Sequence, residues 1–212
     1  MQHPGFIDHI LDELQHGLQT SHLRPPRGPR AYPGQNIKEA ALSEPEKRHA
    51  IGLMRVNNAG EVAAQGLYRC QAITARQAAI SDAMRQAAAE ENEHLYWCQR
   101  RLNELGGQRS RLDGIWYWGS FMIGALAGAA GDKWSLGFVK ETEQQVCKHL
   151  EHHLDQLPAA DQRSQTIIQR MREDEARHAA DAATAGAAEL PQLMKRMMNR
   201  ASKIMTLSAY RI

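Results

Sequence analysis

Hydrophobic and polar positions follow the period of an α-helix along most of this chain. From Ser43 onward, apolar residues recur every three to four positions, the spacing of one face of a helix. The pattern predicts helices at about 43–73, 81–105, 112–131, 135–157, 161–185 and from 192 onward. No segment keeps the strict alternation of a β-strand. The sequence therefore predicts an all-α protein, in which four long helices form a bundle beside a hydrophobic helix.

The N-terminal region has a different pattern. Residues from about 4 to 18 predict a short amphipathic helix. The stretch LRPPRGPRAYPGQN that follows is too rich in proline and glycine to form a helix. The motif SEPE then predicts a capped helix start at Ser43. We therefore expect an N-terminal helix and linker over residues 1–44 and one folded domain over residues 45–212.

The composition excludes several classes of function. The net charge of the 212-residue chain is +2, too small to indicate a nucleic-acid-binding protein. Its three cysteines form no C-x-x-C motif, so neither a zinc ribbon nor a dithiol redox site is expected. The acidic residues Asp8, Asp12 and Glu13 argue against a secretory signal or a transit peptide. These features are typical of a protein in a reducing compartment.

Two Glu-x-x-His motifs lie on helix faces that are otherwise apolar. At 100° per residue, Glu91 and His94 share the face that contains Leu102 and the other core positions of their helix. Glu175 and His178 have the same relation to the core positions of the helix over 161–185. A single motif of this kind usually belongs to a solvated face. Two of them, each facing a core, indicate a shared site.

Two further glutamates complete the pattern. Glu61 and Glu143 each lie on the core-facing side of one of the remaining long helices. Four unpaired carboxylates in an apolar core would be prohibitively costly, and two divalent cations would remove that cost. One Glu from each of two helices and Glu-x-x-His from each of the other two is the ligand set of ferritin-like di-iron bundles. The predicted metal ligands are Glu61, Glu91, His94, Glu143, Glu175 and His178.

An acidic residue precedes the glutamate of each Glu-x-x-His motif. Metal-bound histidines usually donate their second ring N–H to a partner such as a carboxylate. In a bundle with approximate twofold symmetry, Asp174 would accept from His94 and Glu90 would accept from His178. The alternative is that both acids are solvated and pair with Arg172 or Arg177.

Glu93 serves as a control for this interpretation. It lies on the opposite face of the helix from Glu91, so we expect it to be solvated and its loss to be nearly silent.

The donor types limit the metal and leave the reaction open. Carboxylate and imidazole ligands without thiolate suit iron or manganese. The residues alone are compatible with O2 or peroxide chemistry and with iron handling. A ferroxidase or iron store, a rubrerythrin-like or manganese peroxidase, and a non-catalytic membrane scaffold therefore stay open as alternatives.

Two segments predict contact with a membrane surface. Residues 114–131 have no charge, lie at the lower edge of the length of a membrane span, and have aromatic residues at one end. A single crossing would separate the halves of the metal site, so this helix should lie in the interface. The last helix has an apolar half and a basic half that includes Arg196, Arg200 and Lys203, as in helices that bind anionic membranes. The alternative for each is packing on the bundle.

These motifs resemble the demethoxyubiquinone hydroxylases. The similarity rests on RVNNAGEVAAQGLYRCQ, EENEHLYWC, VKETEQQVCKHLEHHL and REDEARH, and it covers about residues 45–212. It implies a ferritin-like, membrane-associated monooxygenase with two iron ions (Fe²⁺/Fe³⁺), held by the six residues above. The glutamates of the two Glu-x-x-His motifs would bridge the irons. The implied reaction is hydroxylation of the ring of a polyprenylated demethoxybenzoquinone or its quinol in ubiquinone biosynthesis.

The same resemblance implies the partners. They are the polyprenylated quinone or quinol, O2, the membrane surface and other proteins of ubiquinone biosynthesis. An external reductant is expected as well, because the sequence has no G-x-G-x-x-G fingerprint of a flavin or nicotinamide site. We expect peripheral attachment at the cytoplasmic face of a cell membrane. A ferritin-like ferroxidase or peroxidase without a lipid substrate is the alternative.

Overall fold

The computed structural model describes the backbone of residues 6–212 and the side chains from residue 11 onward. Within that part of the chain all regular structure is helical, which confirms the all-α prediction. The predicted start of the first helix at residue 4 lies outside the described residues. The helices are α1 (Phe6–His22), α2 (Glu44–Thr74), α3 (Ala78–Glu104), α4 (Asp113–Ala130), α5 (Asp132–Gln156), α6 (Gln162–Thr184) and α7 (Gln192–Ala209).

Most helix ends lie where the sequence predicts them. The capping box at the start of α2 is present: the side chains of Ser43 and Glu46 each accept a hydrogen bond from the backbone N–H of the other residue. Two helices begin three residues before their predicted starts, α3 at Ala78 and α5 at Asp132, and α1 continues to His22, four residues beyond its predicted end. The Asp132 carboxylate accepts hydrogen bonds from the backbone N–H groups of Arg76 and Gln77 at 2.9 and 3.0 Å. Asp132, a residue distant in sequence, therefore fixes the backbone just before α3, and the helix begins directly after these two residues.

The bundle consists of two helical hairpins, α2 with α3 and α5 with α6. Two apolar layers fill the space between them. One layer contains Met54, Trp97 and Ile168, and the other contains Tyr68 and Leu136. Along each helix, the predicted metal ligands lie between these two layers. The layers therefore shield the ligands from water at both ends of the bundle. This arrangement is that of a ferritin-like bundle.

The hydrophobic helix α4 packs mainly along α2 and makes smaller contacts with α1 and α5. A Cβ atom added at Gly124 would meet the Leu67 carbonyl oxygen at 2.7 Å, so the close approach of the two helices requires glycine there. The opposite face of α4 leaves Ile115, Met122 and Leu126 between 61 and 71% exposed. Among residues 6–212, no helix combines the length and the apolarity that crossing a bilayer would need.

The helix α7 also leaves its apolar face exposed. Leu193, Met197, Ile204 and Leu207 are each at least 61% exposed, whereas Ala209 at its end is buried against Val56. The face is therefore not covered by the bundle.

The proline-rich linker packs along the outer sides of α3 and α6. Tyr32 is buried there, and the Asn92 side chain donates to the Pro26 carbonyl at 3.1 Å. The fully buried Arg101 of α3 binds Glu39 of the linker at 2.6 Å and Asp161 at 2.8 Å. The linker thus covers one outer side of the bundle.

Candidate metal centre

All six residues expected to be ligands are buried in the middle of the bundle. Their exposed fractions range from 0% for His94 to 8% for His178. Each of the four long helices supplies a glutamate because each has one acidic position on its core-facing side, between the two apolar layers.

Four of these residues form one half of the centre, which we call the His94 half. Glu61, Glu91, His94 and Glu175 each offer a donor atom, and these atoms all lie within 4.8 Å of one another. The Nδ1 atom of His94 lies 3.1 Å from a carboxylate oxygen of Glu91 and 3.1 Å from one of Glu175. It lies 3.8 Å from Glu61. Such a cluster of three carboxylates and an imidazole can hold a divalent cation.

The other half, which we call the His178 half, repeats this geometry. The Nδ1 atom of His178 lies 3.1 Å from Glu91 and 3.2 Å from Glu175. Glu91 and Glu175 each direct one oxygen toward His94 and the other toward His178. Glu143 lies on this side, since it accepts a hydrogen bond from the Tyr68 hydroxyl and the Tyr68 ring lies edge-on to His178. The two halves therefore share two carboxylates.

The electrostatics of the protein alone show a deficit of positive charge. Burial, together with the charge of Glu91, raises the pKa of Glu61 well above its usual value. Burial, with the charges of Glu175 and Glu91, does the same to the pKa of Glu143. Burial would lower the pKa of His178, but the adjacent carboxylates of Glu175 and Glu91 outweigh it and raise that pKa to about 11. Divalent cations would remove the repulsion among these carboxylates.

An unpaired oxygen supports the same interpretation. The Oε1 atom of Glu91 is buried and makes no hydrogen bond, although it lies near His178. A buried carboxylate oxygen without a hydrogen-bond donor is costly unless another positive group contacts it. The residues present therefore fit a pair of metal ions.

Each histidine directs its second nitrogen toward an acid on the opposite hairpin. The Nε2 atom of His94 lies 3.1 Å from Asp174, and that of His178 lies 3.0 Å from Glu90. These are the two contacts expected from the sequence. Arg177 also contacts both acids, at 2.5 Å for Glu90 and 3.2 Å for Asp174, whereas Arg172 pairs with Glu151.

Comparison with known proteins gives the family. A family model described as "Ubiquinone biosynthesis protein COQ7" matches residues 48–209 and spans all six buried residues. The chain belongs to this family. A protein of Nitrosococcus oceani named 3-demethoxyubiquinol 3-hydroxylase is 55% identical over 96% of this chain and 95% of its own length. Proteins of the same name from Chromobacterium violaceum and Legionella pneumophila are 52 and 51% identical, covering 97 and 100% of this chain and the full length of each relative.

The expectation that Glu93 is solvated is wrong. Its side chain is 4% exposed, and it forms an ion pair with Arg30 of the linker, whose backbone N–H also donates to it. The helical pattern shows only that Glu93 faces away from Glu91. It does not show that the linker covers this outer face of α3.

Tyr68 is a site residue that the sequence interpretation missed. Its hydroxyl donates to Glu143 at 2.5 Å, and its ring lies edge-on to His178. It is two turns after Glu61 on the same face of α2. That spacing is the signal that could have identified it.

A second pair of histidines, one half-buried and one buried, differs from the first. His149 and His153 of α5 have ring centroids 3.9 Å apart, and His153 pairs through Nδ1 with the Asn57 amide oxygen at 2.8 Å. Burial and the neighbouring imidazoles lower the pKa of His149 to about 4 and that of His153 to about 2. Their pKa values thus shift in the opposite direction to those of His94 and His178, which neighbouring carboxylates raise.

Proposed function

We propose that this chain is a di-iron monooxygenase that hydroxylates the ring of a polyprenylated demethoxyubiquinol in ubiquinone biosynthesis. One observation supports the proposal most strongly. The two buried half-sites share Glu91 and Glu175, in a chain that is about half identical, over nearly its full length, to proteins named 3-demethoxyubiquinol 3-hydroxylase.

In the proposed centre, Glu61 and His94 would hold one iron ion and Glu143 and His178 the other, with Glu91 and Glu175 available to both. When bound, the iron pair supplies the one-electron chemistry by which O2 is reduced. In the overall reaction, one oxygen atom replaces a ring hydrogen as a hydroxyl group. The second oxygen leaves as water, with two electrons and two protons from an external reductant.

The residues of the chain orient and shield this chemistry. Asp174 and Glu90 fix the ring orientation of the histidines, so that each Nδ1 atom points inward. The Tyr68 hydroxyl holds one oxygen of Glu143. The apolar layers above and below the centre keep water out, which strengthens every electrostatic interaction within it.

We further propose that the exposed apolar faces of α4 and α7 lie in the surface of a cell membrane, from its cytoplasmic side. A polyprenylated quinol resides in the bilayer, so an enzyme that modifies its ring must reach the lipid. Met122 and Leu126 on α4 and Leu193 and Ile204 on α7 would enter the lipid. The exposed Arg196, Arg200 and Lys203 of α7 would bind anionic headgroups.

The function is tested by isotope labelling. The full-length protein is purified from a strain lacking the ring hydroxylase, loaded with ferrous iron and mixed with vesicles that contain demethoxyubiquinol, a reductant and labelled O2. We expect a product with one labelled oxygen in the ring. Peroxide consumption or iron oxidation without ring hydroxylation would contradict the proposal and favour the peroxidase or ferroxidase alternative.

A further inference from the structure

The two acids behind the histidines have unequal surroundings. Asp174, behind His94, has a side chain only 2% exposed, whereas that of Glu90, behind His178, is 25% exposed. The cation that contacts Glu90 is Arg177, whose side chain is 46% exposed. Solvent therefore screens the Glu90 pair far more than the Asp174 pair.

Asp174 also has a partner that Glu90 lacks, Arg30 of the linker, whose side chain is 28% exposed. Its Nη1 atom lies 2.6 Å from the same Oδ2 oxygen of Asp174 that accepts from His94. Its Nε group binds Glu93, and its guanidinium lies over the Trp97 ring at 4.8 Å from the centroid. Two carboxylates and an aromatic face thus fix one planar cation.

Contacts between the linker backbone and α3 hold Arg30 in this position. Gly28 lies so close to Glu93 that an added Cβ atom would meet the Glu93 Cγ atom at 2.3 Å. The contact between Asn92 and the Pro26 carbonyl fixes the preceding turn to α3. The backbone N–H of Arg30 also donates to Glu93.

Removing Arg30 would release Asp174 from His94. Arg170 and Arg177 each lie 3.2 Å from the other oxygen of Asp174, Oδ1, and both are nearly half exposed. Without Arg30, these two cations would draw the carboxylate toward the surface. The negative charge of Asp174 stays balanced in that case, so the main loss is the orientation of the His94 ring.

We propose that Arg30 is a positioning residue, which holds Asp174 on His94 and makes the His94 half bind its metal ion more tightly than the His178 half. This inference rests on the proposed metal centre. Partners behind metal-bound histidines typically contribute about 10- to 100-fold in metal affinity. The linker is then part of the metal centre.

The experiment is an anaerobic titration of the metal-free, full-length protein with Co²⁺, followed by visible absorption and EPR. We expect two resolved binding steps. Glu61→Gln should remove the tighter step and Glu143→Gln the weaker one, which assigns each step to a half. If both variants keep two equivalents of bound Co²⁺, the metal centre and the proposed function fail together.

Arg30→Met tests the positioning role itself. We expect the tighter step to weaken about tenfold and its cobalt spectrum to change, while the weaker step keeps its affinity. Arg27→Met is the matched control, since Arg27 is an exposed residue of the same linker, and it should leave both steps unchanged. If the assignments by Glu61 and Glu143 hold but Arg30→Met leaves the tighter step intact, only the role of Arg30 is refuted.

Two further variants separate positioning from a general loss of packing. Arg30→Met leaves Glu93 buried without its partner, so the double variant Arg30→Met/Glu93→Gln removes that unpaired charge. We expect the double variant to stay weak in the tighter step. Recovery of wild-type affinity there, or equal weakening of both steps in the single variant, would contradict the proposal. Arg30→Lys keeps the charge but loses the guanidinium that contacts both Glu93 and Asp174. We expect an intermediate affinity in the tighter step.

Discussion

The interior of this bundle and the outer faces of α4 and α7 depart from ordinary globular structure in opposite ways. The interior buries four carboxylates, and the outer faces expose large apolar side chains such as Leu126 and Leu193. Each departure is unfavourable for the chain alone, because buried charge loses hydration and exposed apolar area gains none of the hydrophobic stabilisation. Each departure is what the proposed partners would remove, cations in the interior and lipid at the outer faces.

The largest effect is expected from removing a buried carboxylate of the metal centre. Glu143→Ala removes one of the four carboxylates and should abolish hydroxylation and lower the iron content of the purified protein. Iron analysis and product detection by mass spectrometry check this. The matched control is Glu141→Ala, on the same helix but outside the buried set, which should keep both iron and activity. Normal turnover in Glu143→Ala would refute the six-ligand assignment.

The second prediction tests the proposed lipid contact by adding charge to the exposed face of α4. Met122→Asp with Leu126→Asp should lower binding to anionic vesicles about a hundredfold, because burying two such side chains contributes about 3 kcal/mol. Flotation with vesicles measures this. Turnover of a long-tailed quinol should fall, while a short-tailed, water-soluble quinol is hydroxylated as before.

These positions separate lipid contact from packing better than the aromatic residues do. Trp116 packs against Val56, and Phe121 packs against Tyr117, so changing them would disturb the contact with α2. The control Gln144→Glu/Gln162→Glu adds two negative charges at exposed sites on α5 and α6 and should not affect flotation. Equal loss of activity on both quinols, with iron retained, would mean that the α4 face is not a lipid contact.

A smaller effect is expected from Tyr68→Phe. Loss of the hydroxyl leaves one oxygen of Glu143 without its donor, so the His178 half should bind metal about tenfold more weakly. The Co²⁺ titration should show this in the weaker step alone. An unchanged weaker step, or weakening confined to the tighter one, would show that Tyr68 does not support Glu143 as a ligand.

The smallest effect concerns His153, the buried histidine of the second pair. The pKa of His153 is lowered to about 2, below its unfolded value, so its neutral form stabilises the fold above a pH of about 6.5. As pH falls below that value, this stability is lost at about 1.4 kcal/mol per pH unit. The difference in unfolding free energy between wild type and His153→Gln should show this slope in denaturant titrations. A difference that is independent of pH between 6.5 and 5 would contradict the burial of a neutral imidazole.

The sequence was sufficient to predict the parts of the molecule that repeat with helical period. The core-facing positions of Glu61, Glu91, Glu143 and Glu175 follow from 100° per residue, and so does the bundle. The linker contacts do not, because no period relates Arg30 to Glu93 or to Asp174. The early start of α3 has the same origin, since its cap comes from Asp132. Helical periodicity shows which face of a helix is apolar, but not which distant segment covers the opposite face.

The central claim is that two iron ions share Glu91 and Glu175, and Mössbauer spectroscopy tests it most directly. The full-length protein is loaded with isotopically enriched ferrous iron and oxidised by O2. We predict two irons per chain in a spin-coupled pair with a diamagnetic ground state. Uncoupled high-spin ferric ions, or a single iron per chain, would contradict the account.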